Sequence, residues 1–400
     1  MKLISRDSYL KVMTDVIGTP DIKVLTGVRR AGKSKLLEAL SEYLRRNNPL
    51  CNIIHINFNL TEFELLLEYH ALERYAESRF KADKQNFLLV DEIQMCPSFE
   101  KAMNSLQAKE KFDIYITGSN AFLQSSDLAT LFVGRTFEIP VFPFSFSEYI
   151  EYFPSSDRYD SLTRFMTEGG MAGSYLYPNT ELKFQYINNE VLNSLIVRDI
   201  VNKQKIRNTA LLASILDFLM DKIGSLTSIR SISDTLASNR TKADHKTVSK
   251  YIGFLCSAFA FYRIPRFDLR GKRYLKSEGK YYLCDQSFKY AHLGMKNMDY
   301  GHVLENIVAI ELLRRGYEVY SGTINKKEID FVAIKAGERH YYQVAYSIAD
   351  ENTFKREINP LLSIRDGYRK TLITRIYQPS YQYEGIEIID ASDWLSIPQI

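Results

Sequence analysis

Hydrophobic and polar positions change their period twice along the chain. Between residues 22 and 150, short apolar runs alternate with longer segments of helical period, the pattern of a parallel α/β sheet. The predicted strands are residues 22–25, 52–58, 87–91, 114–117 and 137–141. Three are nearly continuous apolar runs, as strands covered on both faces should be. Helices are predicted between them, over 33–46, ended by Asn47-Asn48-Pro49, and over 61–79. After Phe146 the alternation stops. Pro154-Ser155-Ser156-Asp157 reads as a turn, Glu168-Gly169-Gly170-Met171-Ala172-Gly173 as a loop, and 181–202 as a helix.

Residues 207–262 then carry only helical period. Leu211, Leu212, Ile215, Leu216, Phe218 and Leu219 line one face, and two further helices are predicted over 231–237 and 246–258. A β-like stretch follows: 261–268, a turn at Arg270-Gly271-Lys272, then 273–275 and 280–284. Three helices followed by a hairpin are the layout of a winged helix-turn-helix. From about residue 297 the chain predicts a helix over 303–315, closed by Gly316. Strands follow at 318–320, 329–334 and 340–346, then a helix over 353–366 and a strand at 371–374. Four regions result: an α/β core at 1–150, a helical lid or linker at 151–205, the winged helix at 206–290, and a small α/β unit at 291–400.

Composition narrows the class. Hydrophobic residues make up 45% and charged residues 25%, which suits a globular chain with several cores rather than a disordered one. Lys and Arg number 52 against 48 Asp and Glu, so any nucleic-acid surface has to be local. The four cysteines, Cys51, Cys96, Cys256 and Cys284, form no CxxC pair, which fits a reducing compartment better than a disulfide framework. No apolar run reaches the roughly 20 residues that span a bilayer, and residues 1–7 carry no secretory signature. A cytoplasmic protein without a membrane partner is expected.

Gly27-Val28-Arg29-Arg30-Ala31-Gly32-Lys33-Ser34 matches GxxxxGK[ST] completely, between a predicted strand and a predicted helix. In that setting the backbone N–H groups of the eight residues point at phosphate oxygens, and the helix N-terminus adds positive potential. Lys33 reaches the β- and γ-phosphates, and the Ser34 hydroxyl ligates Mg²⁺. The side chains of Arg29 and Arg30 are expected to point away, toward another domain or subunit. Phe87-Leu88-Leu89-Val90-Asp91-Glu92 is an apolar run ending in two carboxylates. A buried strand would deliver both to its C-terminal edge, where open α/β sheets bind ligands. There Asp91 would hold Mg²⁺ and Glu92 would orient and deprotonate the attacking water. ATP and Mg²⁺ are the cofactors implied.

A strand candidate between the two motifs, with Glu after the acidic residue, resembles the additional-strand catalytic-glutamate class of P-loop ATPases. More widely, Thr26–Ser34, Leu89–Gln94, Thr117–Asn120, Gly134-Arg135 and Val141–Tyr149 resemble bacterial and archaeal AAA-type ATPases with a C-terminal domain of unknown function. Gly169-Gly170-Met171 and Arg198-Asp199-Ile200 are further landmarks. The resemblance covers nearly the whole chain and implies an ATPase core, a winged helix and a terminal domain with a restriction-endonuclease-like fold. It also implies a γ-phosphate sensor after the strand at 114–117. Thr117 or Ser119 would fill that place; an ordinary polar turn is the alternative. Arg135 is the candidate for stabilising transition-state charge, from its own or a neighbouring subunit of a homo-oligomer. A surface arginine is the alternative.

Charge is concentrated in one place. Residues 240–280 hold eleven Lys and Arg against three acids. In a winged helix Lys246 and Lys250 would lie on the recognition helix, and Arg270, Lys272 and Arg273 at the wing tip, reaching DNA phosphates. A basic face that only packs against the ATPase is the alternative. In the last region Glu305 and Asp330 occupy places suited to a metal-dependent nuclease, but Gln343 and Ala345 stand where a carboxylate and a lysine are needed. Lys335 and Lys355 are poorly spaced substitutes. An inactive nuclease-like domain is expected.

The chain therefore reads as an ATP-binding, ATP-hydrolysing protein whose nucleotide state moves a DNA-binding module. A nucleotide-gated switch with negligible turnover, answering to an unidentified protein partner, and an ATP-regulated nuclease are the rival readings.

Overall fold

The computed structural model describes residues 4–118, 132, 134–238, 244–271, 273–295, 298–325 and 327–397, with side chains left out for 273–277. Helix α1 (Asp7–Asp15) precedes β1 (Ile22–Thr26), in which every residue is buried. Helix α2 (Lys33–Asn47) buries Leu36, Leu37, Leu40 and Leu44 and carries Arg45 and Arg46 in its last turn, where cations suit the helix dipole. Then come β2 (Asn52–Asn57), α3 (Tyr69–Ser78), β3 (Asn86–Asp91), α4 (Phe99–Ala108), β4 (Asp113–Thr117) and β5 (Thr136–Pro140).

All five strands are parallel, in the order β2-β3-β4-β1-β5. The sheet does hold an additional strand between the phosphate-loop strand and the acidic strand, but the strand in that place is not the one expected at 52–58. The strand that lies between the two motifs in sequence, β2, is at the sheet edge. The strand that separates β1 from β3 in space is β4. The single helix expected over 61–79 is also two pieces: a 3₁₀ turn at Thr61–Leu66, then α3, whose N-terminus is capped by the Glu68 carboxylate accepting from the N–H groups of His70 and Ala71. That cap starts α3 as a separate helix.

This first compact unit ends at Phe142 and the second begins at Pro143, a little before the expected end of the core region. Phe144 belongs to the second unit because its N–H donates to Gly170 O and its ring packs on Tyr152 and Tyr175. Helices α5 (Phe146–Tyr152), α6 (Arg158–Glu168) and α7 (Thr180–Tyr186) follow, the last continuing through π-helical segments to Asn202. Then come α8 (Thr209–Asp221), β6 (Thr227–Ser228), α9 (Ile229–Ser238), α10 (His245–Ser257), β7 (Phe261–Asp268) and β8 (Arg273–Leu283). The two short strands expected at 273–275 and 280–284 form one strand. An irregularity opposite Pro265/Arg266 absorbs the extra residues of β8. The chain closes with α11 (Ser287–Leu293), α12 (Tyr300–Arg314), β9 (Glu318–Ile324), β10 (Lys327–Lys335), β11 (Glu338–Ala345), α13 (Glu351–Leu362), β12 (Arg369–Thr374), β13 (Tyr381–Tyr383), β14 (Ile386–Asp390) and α14 (Ala391–Ser396).

One nine-stranded sheet runs through this unit, in the order β13-β14-β12-β11-β10-β9-β7-β8-β6. Its join is the parallel pairing of β7 with β9, Arg266 opposite Ser321 through Asp268 opposite Thr323. Phe267, on the hairpin, accordingly belongs to the core built by Ile329, Val332, Tyr341, Leu361 and Leu372. Among the described residues no helix is long and apolar enough to cross a membrane.

Candidate functional site: the phosphate loop and the acidic strand end

The loop between β1 and α2 is shaped by residues that no other type could replace. Gly27 has φ +133°, and a Cβ there would lie 2.0 Å from Val141 O. Gly32, at φ +97°, is the left-handed N-cap of α2. Lys33 is buried at the head of that helix and donates from Nζ to Gly27 O at 2.7 Å and to Val28 O at 3.1 Å. Ser34 sits beside it in the first turn. The far end of the loop is held by a residue the sequence reading missed. Buried Arg6 donates from Nη1 to Ala31 O at 2.8 Å and from Nη2 to Phe142 O at 2.9 Å, with its guanidinium 4.4 Å above the Tyr9 ring. Nothing local marks Arg6. It lies outside every motif and only the packing of α1 brings it to the loop.

Asp91 ends β3 and is buried. Its Oδ1 accepts from the Thr117 hydroxyl at the end of β4, and the same hydroxyl accepts from Glu92 N at 3.2 Å. Oδ2 of Asp91 is buried without a hydrogen-bond partner among the described residues. A carboxylate oxygen stripped of water and left bare is costly unless a cation completes it. The donor types, a bare carboxylate oxygen at the sheet end that also carries the loop and the Ser34 hydroxyl in that loop, suit Mg²⁺. Glu92 is held at φ 56°, a left-handed conformation rare outside glycine, with its carboxylate accepting from Gln94 Nε2. Strained backbone of this kind persists where the surroundings fix a side chain's aim.

Other expectations fall elsewhere. Arg135 precedes β5 and its O accepts from Ile22 N, at the start of β1. The phosphate loop follows the opposite end of β1. An in-chain role for Arg135 at the phosphates is thus corrected: the length of a parallel strand separates them. Its exposed guanidinium meets Gln107 at 3.3 Å. Ser119 and Lys272 lie outside the described residues, as does the side chain of Arg273. Lys246 and Lys250 are exposed on α10, and Arg270 is exposed in the turn after β7.

The basic footprint is smaller than composition implied. Arg266 is paired with Glu278 at 2.5 Å. Lys280 is 3% exposed and its ammonium lies 2.7 Å from Glu305, 2.6 Å from Glu328 and 3.3 Å from Asp330. Burial alone would discharge it, but the surrounding carboxylates, Glu305 foremost, hold its pKa well above the ordinary lysine value. Glu305 and Asp330 do come together as the sequence suggested. The cation between them is Lys280, from the hairpin, rather than Lys335, which donates to Arg315 O, or Lys355, which pairs with Glu351. Gln343 lies against the backbone of Asp330: its Oε1 accepts from Asp330 N and its Nε2 donates to Glu357. Tyr282 donates to Glu305 at 2.6 Å. Among the described residues no three His, Cys, Asp or Glu side chains are placed to hold a metal ion.

Residues 19–150 match the family model described as an AAA domain, and residues 159–299 one described as a domain of unknown function. An uncharacterized protein of Haemophilus influenzae is 38% identical over 403 residues, 98% of each chain. One from Methanocaldococcus jannaschii is 26% identical over 409 residues, 98% of this chain and 88% of its own. Among solved structures, the Aeropyrum pernix ORC1 protein in complex with DNA aligns with 72% of this chain and 92% of its own, at 13% identity and a TM-score of 0.30. AMPPCP-bound DnaA from Aquifex aeolicus aligns with 62% and 87%, at 15% identity and a TM-score of 0.31. Identity of 38% across both whole chains marks common membership, and with the AAA-domain match it follows that this chain belongs to the AAA-type ATPases carrying a C-terminal domain of unknown function.

Proposed function

We propose that the protein binds ATP with Mg²⁺ and hydrolyses it, and that nucleotide state is coupled to a DNA-binding winged helix. The observation that carries the chemistry is the bare buried oxygen of Asp91, followed by Glu92 in a left-handed conformation, at the same end of the parallel sheet as the complete phosphate loop. Mg²⁺, when bound, supplies charge neutralisation of the β- and γ-phosphate oxygens. Ser34 and Asp91 would hold it. The backbone N–H groups from Gly27 to Ser34 cradle the phosphates, and Lys33 exchanges its bonds to loop carbonyls for phosphate oxygens. Glu92 orients water and takes its proton. Thr117 keeps Asp91 in place. Arg135, exposed at the end of β1 away from the loop, would act at the phosphates only from a neighbouring copy of a homo-oligomer, and a surface arginine is the alternative.

The DNA-binding half rests on element order and exposure. Helices α8, α9 and α10, with β6 pairing β8 at Glu278 and Gly279 midway along the β7/β8 hairpin, support the winged-helix reading. Lys246 and Lys250 project from the third helix. Residues 151–205 serve as the lid or linker, and the carboxylate cluster around Lys280 as a structural network in a catalytically silent domain.

The test is phosphate release from Mg-ATP by wild type, Glu92→Gln and Lys33→Ala, each with and without duplex DNA. Turnover lost in both variants establishes the ATPase, and stimulation by DNA establishes the coupling. No turnover in wild type, with ATP retained by Glu92→Gln but not by Lys33→Ala, replaces this reading with a slow switch awaiting a protein partner. Sizing with and without nucleotide tests Arg135: an unchanged monomer sinks its action across subunits.

A further inference from the structure

The turn after β7 does not stand alone. Because β7 runs parallel to and beside β9, with Leu269 N donating to Thr323 O at 3.0 Å, the residues that follow both strands meet. Together with β11 and the loop after α13 they enclose an open cavity of about 680 Å³. Three guanidiniums line it, those of Arg270, Arg339 and Arg365, against one carboxylate, that of Asp366. Both oxygens of Asp366 are already engaged, one by the Tyr341 hydroxyl at 2.6 Å and one by Tyr368 N at 3.2 Å. None of the three arginines forms an ion pair with a described residue.

Three like charges face one cavity whose one lining carboxylate is already occupied, and Asp268 next to Arg270 is engaged by the Arg270 N–H at 3.0 Å, an arrangement that favours an anion among the guanidiniums. Arg339 is also fixed in advance. It lies 5.2 Å over the Phe267 ring and 5.5 Å over Tyr368, and Nη1 donates to Tyr341 Oη at 3.3 Å. A guanidinium already held on aromatic faces loses less freedom when it binds phosphate. On the rim Lys327 Nζ meets Ser363 Oγ, a hydroxyl of the cavity wall, at 3.2 Å.

We infer that this cavity is a second phosphodiester-binding site: it takes the backbone of the same DNA duplex that the winged helix contacts. This rests on the DNA-binding reading above. It makes the terminal α/β region part of the nucleic-acid surface instead of an inert appendage, since Arg339 and Arg365 line the same cavity as Arg270. The contacts are with backbone and carry no sequence information.

The test is fluorescence polarisation of a short labelled duplex with the full-length protein across a salt series. Arg365→Ala removes an exposed guanidinium without a described partner. Arg339→Met keeps an apolar stem on Phe267. Lys246→Ala with Lys250→Ala removes the helix contacts only. The Arg365→Ala and Arg339→Met pair is expected to weaken duplex binding roughly tenfold near physiological salt, and to lower the log–log salt slope by about two. Wild-type affinity and slope in Arg365→Ala and in the pair, while the lysine variant loses binding, would overturn the cavity's role and leave the winged helix as the whole site. No duplex binding by wild type would remove the DNA reading and this inference with it. A larger loss on single-stranded than on duplex DNA would overturn the duplex as occupant. Should Arg339→Met lower the melting temperature, Arg365→Ala alone decides.

Discussion

At the scale of the residue, the first unit is governed by a few positions whose alternatives are excluded on steric or electrostatic grounds. Gly27 combines a positive φ with a 2.0 Å approach of its missing Cβ to Val141 O. Gly27→Ala should abolish retention of ATP in equilibrium dialysis and lower the melting temperature, since the backbone conformation alone costs about 1–3 kcal/mol before the clash is counted. ATP retained at wild-type level would contradict it. Lys23 is fully buried in β1, its ammonium 2.7 Å from both Asp113 Oδ1 and Thr19 O. Asp113→Ala leaves that ammonium without its counter-charge and should cost about 3–5 kcal/mol in urea unfolding. A loss below about 1 kcal/mol would show that water reaches Lys23.

At the scale of the element, the lysine of β8 decides how hairpin and terminal strands hold together. Lys280 ties β8 to α12 through Glu305 and to β10 through Asp330 and Glu328. Lys280→Met should destabilise the second unit by about 3–5 kcal/mol near neutral pH, because it strands buried carboxylates rather than because the pair was worth that much. Lowering the pH should recover part of the loss. In wild type, burial first and the Glu305 charge second raise the Asp330 pKa above the usual carboxylate range. A folded acid with a raised pKa holds a proton that the unfolded chain gives up. Its contribution to stability is complete below the ordinary carboxylate range and is lost as pH rises through the folded value. Urea melts across pH should therefore show a declining limb from mildly acid upward, and Asp330→Asn should flatten it. An unchanged limb in that variant would assign the decline to another group.

At the scale of the whole molecule, two units with separate cores share one chain. Calorimetry should resolve more than one unfolding transition. Mg-ATP binds only the first unit in the proposed scheme. At about one hundred times its Kd it should stabilise that transition by about 2.7 kcal/mol, and the proposed coupling should move the other by a smaller amount. A first transition left in place would contradict ATP binding to that unit, and a second left in place would count against the coupling.

Period and motif were enough to place most strands of the parallel sheet, the loop from Gly27 to Ser34, and the acids at the end of β3, because each is a local property. An apolar run records burial on both faces, and the loop's glycines record a conformation that only glycine adopts without strain. Lateral order is not local. That β4, and not β2, lies between β1 and β3 depends on crossover connections that no side-chain period encodes. Arg6 at the loop and Lys280 among the carboxylates could not be foreseen, since each meets partners far along the chain and no short motif contains them. The same holds for the hairpin's place in the nine-stranded sheet. Edge backbone groups pair with whichever strand the packing brings alongside, and here that pairing sets Arg270 next to Arg339 and Arg365.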